Sequence, residues 1–343
     1  MLQENLIERL KNTGLLLIPD IKKIVGLNKI NLGKWPTPLI RYNLTEQFYI
    51  KRDDLSGYGR GGIKTRKLEG FVAHVKSYSY TDIVIIVPNI SNLRADFEVL
   101  AESLDINIHL VVANDPFLTD EIRNTFPLHK KIRYTITGTS KLSAVFYFFK
   151  VYFKLRLQNK KAGLFFPSLS HPASVMGAAG GMMELLLQLN EQNVKKNTTH
   201  VFISGCTGSS AAGLILAGAV IRAEKIADFK IHVVKVFPIP LRLWIWFILK
   251  WTRYRYSLST MIRLSDICIK KKYTNLNYGK SDIILEDICH RIREEFDMDI
   301  DPVYGARTWG EMQDFINTPS FKSSRDTLVF WNCGYTKGWE LFK

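Results

Sequence analysis

KRDDLSGYGRGGIKTRK, residues 51–67, joins a charged cluster (Lys51, Arg52, Asp53, Asp54) to a turn rich in glycine (Gly57, Gly59, Gly61, Gly62). Lys64 follows at the head of an expected helix, KTRKLEGFVAHV. The glycines permit positive φ and let a flat ligand approach the backbone closely. A lysine just past such a turn is a candidate Schiff-base former. Partial burial and the positive neighbours Arg60, Arg66 and Lys67 would lower its pKa and free the amine for a carbonyl. Taken alone, the same residues also read as a solvated loop followed by a basic helix start.

On either side of this stretch the chain alternates. A proline-bounded entry, KWPTPLIRYN, leads into a strand, QFYIKRDD. After the glycine turn and its helix come TDIVIIVPN, a turn and helix in ISNLRADFEVLAESL, and INIHLVVAND. Continuous β-branched runs of this kind are typical of strands buried on both faces, and the strand–turn–helix repeat indicates a parallel α/β sheet. Further on, GAAGGMMELLLQL reads as a helix and HVFISGCTGSSAAGLILAGAVIRAE as a strand, a turn and a small-residue helix. KIHVVKVFPI and TLVFWNCG read as strands. SDIILEDICHRIREEF reads as an amphipathic helix with Ile284, Ile288 and Ile292 on one face, and DPVYGARTWGEMQDFI as a helix after its proline.

Composition narrows the classes. The 343 residues, 46% hydrophobic and 23% charged, describe a globular chain long enough for two subdomains. The net charge of +15 is spread along the chain, and no zinc-finger, RNA-binding or basic-zipper pattern accompanies it, so no nucleic-acid partner is expected. The four cysteines (Cys206, Cys268, Cys289, Cys333) are far apart and show no metal spacing. MLQENLIERLKN does not resemble a secretory signal, and a cytoplasmic location is expected.

A second informative turn is SGCTGSS, residues 204–210. Its N–H groups and the hydroxyls of Thr207, Ser209 and Ser210 would converge on a helix N-terminus, where a phosphate is favoured. It has neither the P-loop lysine nor the GxGxxG pattern, and it also reads as a plain strand-to-helix connection. A lysine behind one glycine turn and a phosphate-sized nest after another together suggest pyridoxal phosphate.

PTPLIRY, KRDDLSGYGRGGIKTRKLE, TGSSAAG and DPVYGARTWG, in that order, resemble the fold-type II pyridoxal phosphate enzymes. Within these they resemble the 1-aminocyclopropane-1-carboxylate deaminase and D-cysteine desulfhydrase family, over roughly residues 36–334. The resemblance implies a tryptophan synthase beta-like α/β fold with two open twisted domains and the cofactor in the cleft between them. Residues 1–66 and 167–343 would form the large domain and 67–166 the small one. It makes Lys64 the lysine that carries the cofactor. Ser91 would act in proton transfer, Asn92 would contact the cofactor ring, and Cys206, Thr207, Gly208, Ser209 and Ser210 would hold the phosphate. Tyr304 and Tyr278 would face the substrate, and Cys333 would lie against the cofactor. The implied partner is a small amino acid, converted to a 2-oxo acid and ammonia, in a homodimer.

Several positions depart from the family pattern. Ile63 stands where asparagine is usual, and Leu93 where histidine or glutamine follows Ser-Asn. Gly305 replaces the glutamate of the deaminases, and Cys333 replaces their leucine. The small residues at 305 and 333 lean towards the desulfhydrase type. The alternatives are a degenerate family member acting as a cofactor-binding or membrane-associated accessory protein, and a β-replacement biosynthetic enzyme. Two apolar, basic stretches, 144–156 and 241–255, are too short to span a bilayer. Peripheral contact with an anionic membrane stands there beside core, subunit interface or flap.

Taken without the resemblance, Ser91 would cap a helix, Tyr304 would be a packed aromatic and Cys333 a small core residue. His171 and His200 show no partner in the sequence.

Overall fold

The β-branched runs form parallel strands in the computed structural model. It describes residues 2–26, 30–42, 47–58, 61–87, 104–112, 129–137, 141–194, 197–274 and 282–334, with Phe97, Leu100 and Ala101. The chain divides into two compact units, Met1–Gly70 with Pro172–Lys343, and Phe71–His171.

In chain order the first unit supplies α1 (Leu2–Asn12), α2 (Pro19–Val25), β1 (Leu39–Arg41) and β2 (Phe48–Arg52). α3 (Ile63–Ser77) carries the chain across the unit boundary. The second unit supplies β3 (Asp82–Val87), β4 (Asn107–Val112), β5 (Ile132–Ile136), α4 (Lys141–Leu157) and β6 (Ala162–Phe165). The first unit resumes with α5 (Pro172–Glu191), β7 (Thr199–Gly205), α6 (Ser209–Ala223), β8 (Phe229–Lys235) and α7 (Leu241–Tyr256). It ends with β9 (Cys268–Lys270), α8 (Ile283–Phe296), α9 (Gly305–Ile316), α10 (Pro319–Lys322) and β10 (Thr327–Asn332).

The first unit is built on a six-stranded sheet in the order β1-β2-β10-β7-β8-β9, parallel except for the β1–β2 pair. Alternation along the strands sends Val201, Ile203, Ile231, Val233 and Val329 to a core shared with α2, α5, α6 and α7. Phe48, Ile50, Phe202, Leu328 and Phe330 go to the other face, against α8 and α9. Each such side chain contributes roughly 1.5–3 kcal/mol by leaving water. Both faces are therefore dry, as the unbroken apolar runs imply.

α3 is held by contact between backbones. A Cβ on Gly177 of α5 would stand 2.1 Å from the Arg66 carbonyl oxygen, and one on Gly70 would stand 2.0 Å from that of Ala173. No larger residue fits at this crossing. It places the first turn of α3, with Lys64, directly over the first unit's core.

The second unit is a four-stranded parallel sheet, β5-β4-β3-β6. One face is covered by α4, whose Phe148 and Leu155 pack on Val84, Val111 and Ala162. Phe71 and Phe165 meet edge to face at 4.7 Å.

The structure differs from the sequence reading at four places. The buried face of α8 consists of Leu285, Ile288 and Ile292, while Ile284 is exposed. At about 100° per residue Leu285 stands within about 20° of Ile292 around the helix, whereas Ile284 stands about 80° from it, towards the edge of the buried face. β5 was not foreseen, because as an edge strand it buries only its first residue and carries Arg133 and Tyr134 among apolar neighbours. His200 has partners: its Nδ1 lies 2.9 Å from His232 Nε2 and its Nε2 lies 3.2 Å from Asp326 Oδ2. The expected strand QFYIKRDD stops at Arg52, and Asp53–Leu55 turns as a 3-10 helix.

Candidate functional site

The carboxyl ends of β2, β10 and β7 lie side by side in the first unit's sheet, the edge at which open parallel sheets place their ligands. β2 runs out into the Asp53–Leu55 turn and the glycine loop. The loop folds back on its strands: Gly62 N–H donates to the Asp53 carbonyl at 2.9 Å, and Ile63 N–H donates to the Cys333 carbonyl at 3.2 Å. Gly62 has φ +90°, and a Cβ there would stand 2.1 Å from the Cys333 oxygen. Only glycine brings the head of α3 this close to the end of β10. Lys64 is the second residue of that helix and is half-buried.

β7 runs out through Cys206 and Thr207 to Gly208, which caps α6 in a left-handed conformation (φ +76°) without a side-chain cap. The first N–H groups of α6 thus face the loop without an intrahelical acceptor. Ser209 is buried and its hydroxyl has no partner. An orphaned donor at a helix N-terminus costs about 1–3 kcal/mol until an acceptor reaches it.

Electrostatics tie the two turns together. Lys67, one helical turn beyond Lys64, is buried, and its pKa is pushed down to about 7 by desolvation and then by the Lys64 charge, with Cys206 and Cys333 opposing. Burial pushes the Cys333 thiol up to about 12, assisted by Asp53 and Asp301 and opposed by hydrogen bonds from Ser204. Lys64, Lys67, Cys206 and Cys333 therefore share one neighbourhood. Asp301 connects it to the head of α9, because its Oδ1 accepts the Tyr304 N–H at 2.7 Å. Tyr304 is half-buried and caps α9. Ser91, Asn92, Tyr278 and Leu93 lie outside the described residues.

Behind Lys64 is a buried polar set that the sequence reading did not anticipate. Arg66 grips Asp53 with two bonds (Nε at 2.9 Å, Nη2 at 2.8 Å) and reaches both oxygens of Glu184 (Nη1 at 3.1 Å, Nη2 at 2.9 Å). Lys51 bonds Glu184, and donates to the Thr37 carbonyl and Gln188 Oε1, each at 2.7 Å. Trp331 Nε1 and the Thr37 hydroxyl complete the bonding of Asp53, at 2.8 and 2.7 Å. Burial alone would raise the Glu184 pKa, but Arg66 and Lys51 hold it down to about 2. Two cations and two carboxylates neutralise one another. Arg66, expected as a positive neighbour of Lys64, has its charge committed to this set. Ile63 points into the apolar core, away from any polar role.

The donors at this edge fit a phosphate-bearing aldehyde. Lys64 offers the amine. The head of α6, the orphaned Ser209 hydroxyl and the buried Lys67 offer a seat for an anion. The sequence reading takes Lys67 only as a positive neighbour of Lys64, although its spacing of three places both on one side of a helix. Among the described residues no group of His, Cys, Asp and Glu could hold a metal ion.

No protein-family model matches the chain. It is 27% identical over 203 residues to a Pyrococcus abyssi protein provisionally named a 1-aminocyclopropane-1-carboxylate deaminase, covering 57% of this chain and 60% of that one. It is 33% identical over 97 residues to the mitochondrial bifunctional D-cysteine desulfhydrase/1-aminocyclopropane-1-carboxylate deaminase of Arabidopsis thaliana, covering 26% and 24%. The chain thus spans less than two thirds of either relative's length. A crystal structure of an ACC deaminase homologue superposes with a TM-score of 0.76 over 94% of this chain and 98% of that one, at 19% identity, a likeness that speaks to the fold.

Proposed function

We infer that this chain, a divergent member of the 1-aminocyclopropane-1-carboxylate deaminase and D-cysteine desulfhydrase family of fold-type II pyridoxal phosphate enzymes, is a lyase or deaminase acting on a small amino acid. Its products would be a 2-oxo acid and ammonia, with sulfide where the substrate is a cysteine. The observation that carries the reading is the shared carboxyl edge. Lys64 and the uncapped head of α6, with Ser209 unpaired, open on the same side of one sheet.

Pyridoxal phosphate, when bound, supplies a carbonyl for amino groups and a ring that draws electrons from the bonds at the α-carbon. Lys64 would hold its carbonyl end. The α6 N-terminus, Ser209, Ser210 and Lys67 would hold the phosphate. The Asp53–Arg66–Glu184 set keeps the Lys64 turn rigid, so that the amine stays aimed at the edge. Tyr304 and Tyr278 would face the substrate, Asn92 the cofactor ring, and Ser91 would move the proton.

Of the two activities, the small residues at 305 and 333 lean towards the desulfhydrase type. The deaminase glutamate is replaced by Gly305, and a Cβ there would stand 2.6 Å from Ile300 Cβ, so the position is filled by a neighbour. The test is the absorbance of the purified protein with added cofactor, before and after borohydride, followed by peptide mapping. The expected result is a band lost on reduction, a label on Lys64, and sulfide release from D-cysteine in preference to turnover of the cyclopropane amino acid. A Lys64→Ala variant that keeps the band would remove the proposal.

A further inference from the structure

Two helices carry outward surfaces that this chemistry does not use. α4 is apolar all round. While Phe148 and Leu155 pack inward, Leu142 (82% exposed), Phe146 (62%), Phe153 (58%) and Leu157 (85%) point outward together with Phe149. At 3.6 residues per turn these five fall within about 80° of arc. Exposed Lys150 and Lys154 border the stripe on one side and Arg156 on the other, and α4 has no acidic residue. The stripe is a continuous apolar face framed by cations.

α7 repeats the chemistry in the other unit. Leu243, Trp246, Phe247 and Tyr254 are exposed, interleaved with Arg242, Lys250 and Arg255, and again no acid is present. The Lys250 ammonium lies 5.3 Å from the centre of the Trp246 ring. At the N-terminal end of α7 a cavity of about 290 Å³ is lined by Lys235, Arg242 and Lys271, with Ile239, Leu243 and Ile269 as its apolar wall.

We propose that α4 and α7 are docking surfaces for an anionic lipid membrane, and that the cavity beside α7 takes a lipid phosphate. An aromatic stripe edged by lysine and arginine is the composition that rests in the boundary between headgroups and acyl chains. Charge complementarity selects this occupant. A second copy of the chain meeting across a two-fold axis would set each all-basic helix against itself. Neither helix crosses the bilayer, since no described helix is long and apolar enough to do so. Both therefore lie along the surface. The proposal is independent of the catalytic reading.

The test is flotation of the full-length chain with vesicles of phosphatidylcholine alone or with phosphatidylglycerol, at low and high salt. The chain is expected to float with the anionic vesicles only and to be released by salt. Phe146→Ser/Phe149→Ser/Phe153→Ser in α4, and Trp246→Ser/Phe247→Ser in α7, should each lower the bound fraction with an unchanged circular dichroism spectrum. Lys150→Glu/Lys154→Glu, which leaves the apolar surface untouched, should lower it by roughly tenfold or more. Absence of flotation at low salt, equal binding to neutral vesicles, or full binding by the charge-reversed variant would each overturn the proposal. So would light scattering that shows a dimer dissociated by the same substitutions, because these faces would then be contacts between copies.

Discussion

Asp53 does more than its place in a charged tetrapeptide suggests. Its carbonyl receives Gly62 and its carboxylate receives Arg66, so one residue grips the chain on both sides of Lys64. Removing one partner leaves a buried charge uncompensated. Arg66→Met is expected to cost about 3–5 kcal/mol in urea unfolding, and the double variant Arg66→Met/Glu184→Met to cost less than the sum of the two single losses. Lys67 obeys the opposite logic. Its pKa falls from 10.5 to about 7 on folding, so between those values the unfolded chain binds the extra proton. The penalty on the folded state is complete below pH 7 and disappears as pH rises to 10.5. Lys67→Met should therefore raise the unfolding free energy of the cofactor-free protein at pH 7 by about 2–4 kcal/mol, with the gain fading towards pH 10. Millimolar phosphate should stabilise the wild type more than this variant, as thermal melts would show.

At the scale of elements, the junctions between α3, α5 and β10 decide where the amine stands. Gly177→Ala would push a methyl group to 2.1 Å from the Arg66 carbonyl, a rigid backbone atom. The helices must part, at a cost of about 1–3 kcal/mol or more. On the proposed function, turnover should fall further than stability alone accounts for, because the displaced element carries Lys64; comparing turnover at equal folded fraction would detect this. β7, β8 and β9 carry a second junction. His200 bridges His232 and Asp326, and His232 Nδ1 lies 3.5 Å from Cys268 Sγ. Burial, then His200, Lys270 and Lys230, push the His232 pKa down to about 3. The unfolded histidine takes its proton near pH 6.5 and the folded one does not, so stability falls as pH drops from 6.5 towards 3. Replacing it in His232→Phe should flatten that acid limb by about 1–2 kcal/mol between pH 7 and pH 5, read from urea midpoints.

Across the whole molecule, the legible features were those written in neighbouring residues. Both turns at the site could be read directly, since glycine at positions 62 and 208 supplies positive φ and the apolar runs on either side declare a strand or a helix. Lys64, Cys206 to Ser210, Tyr304 and Cys333 were named from those local patterns and a family resemblance; the sheet order brings the strand ends before Lys64, Cys206 and Cys333 to one edge, and Asp301 ties Tyr304 to it. The Asp53–Arg66–Glu184–Lys51 set was not legible, because Glu184 is 118 residues from Arg66 and 133 from Lys51. The His200–His232 pair is separated by 32. No periodicity encodes such partnerships. The outward stripe of α4 lay between these cases. Its aromatic and basic content was plain, but burial of Phe148 and exposure of Phe146 and Phe149 depend on which face meets the sheet.

By itself the sequence determined the alternation of strand and helix, the two turns and the lysine between them, because steric limits on φ and the 2.0 and 3.6 periods act over a few residues. Tertiary structure alone decided which strand ends stand together, which charges are buried as neutral sets and which apolar faces remain in water. Those outcomes come from packing and pairing between distant segments, where burial and Coulomb attraction depend on distance through space and not on separation along the chain.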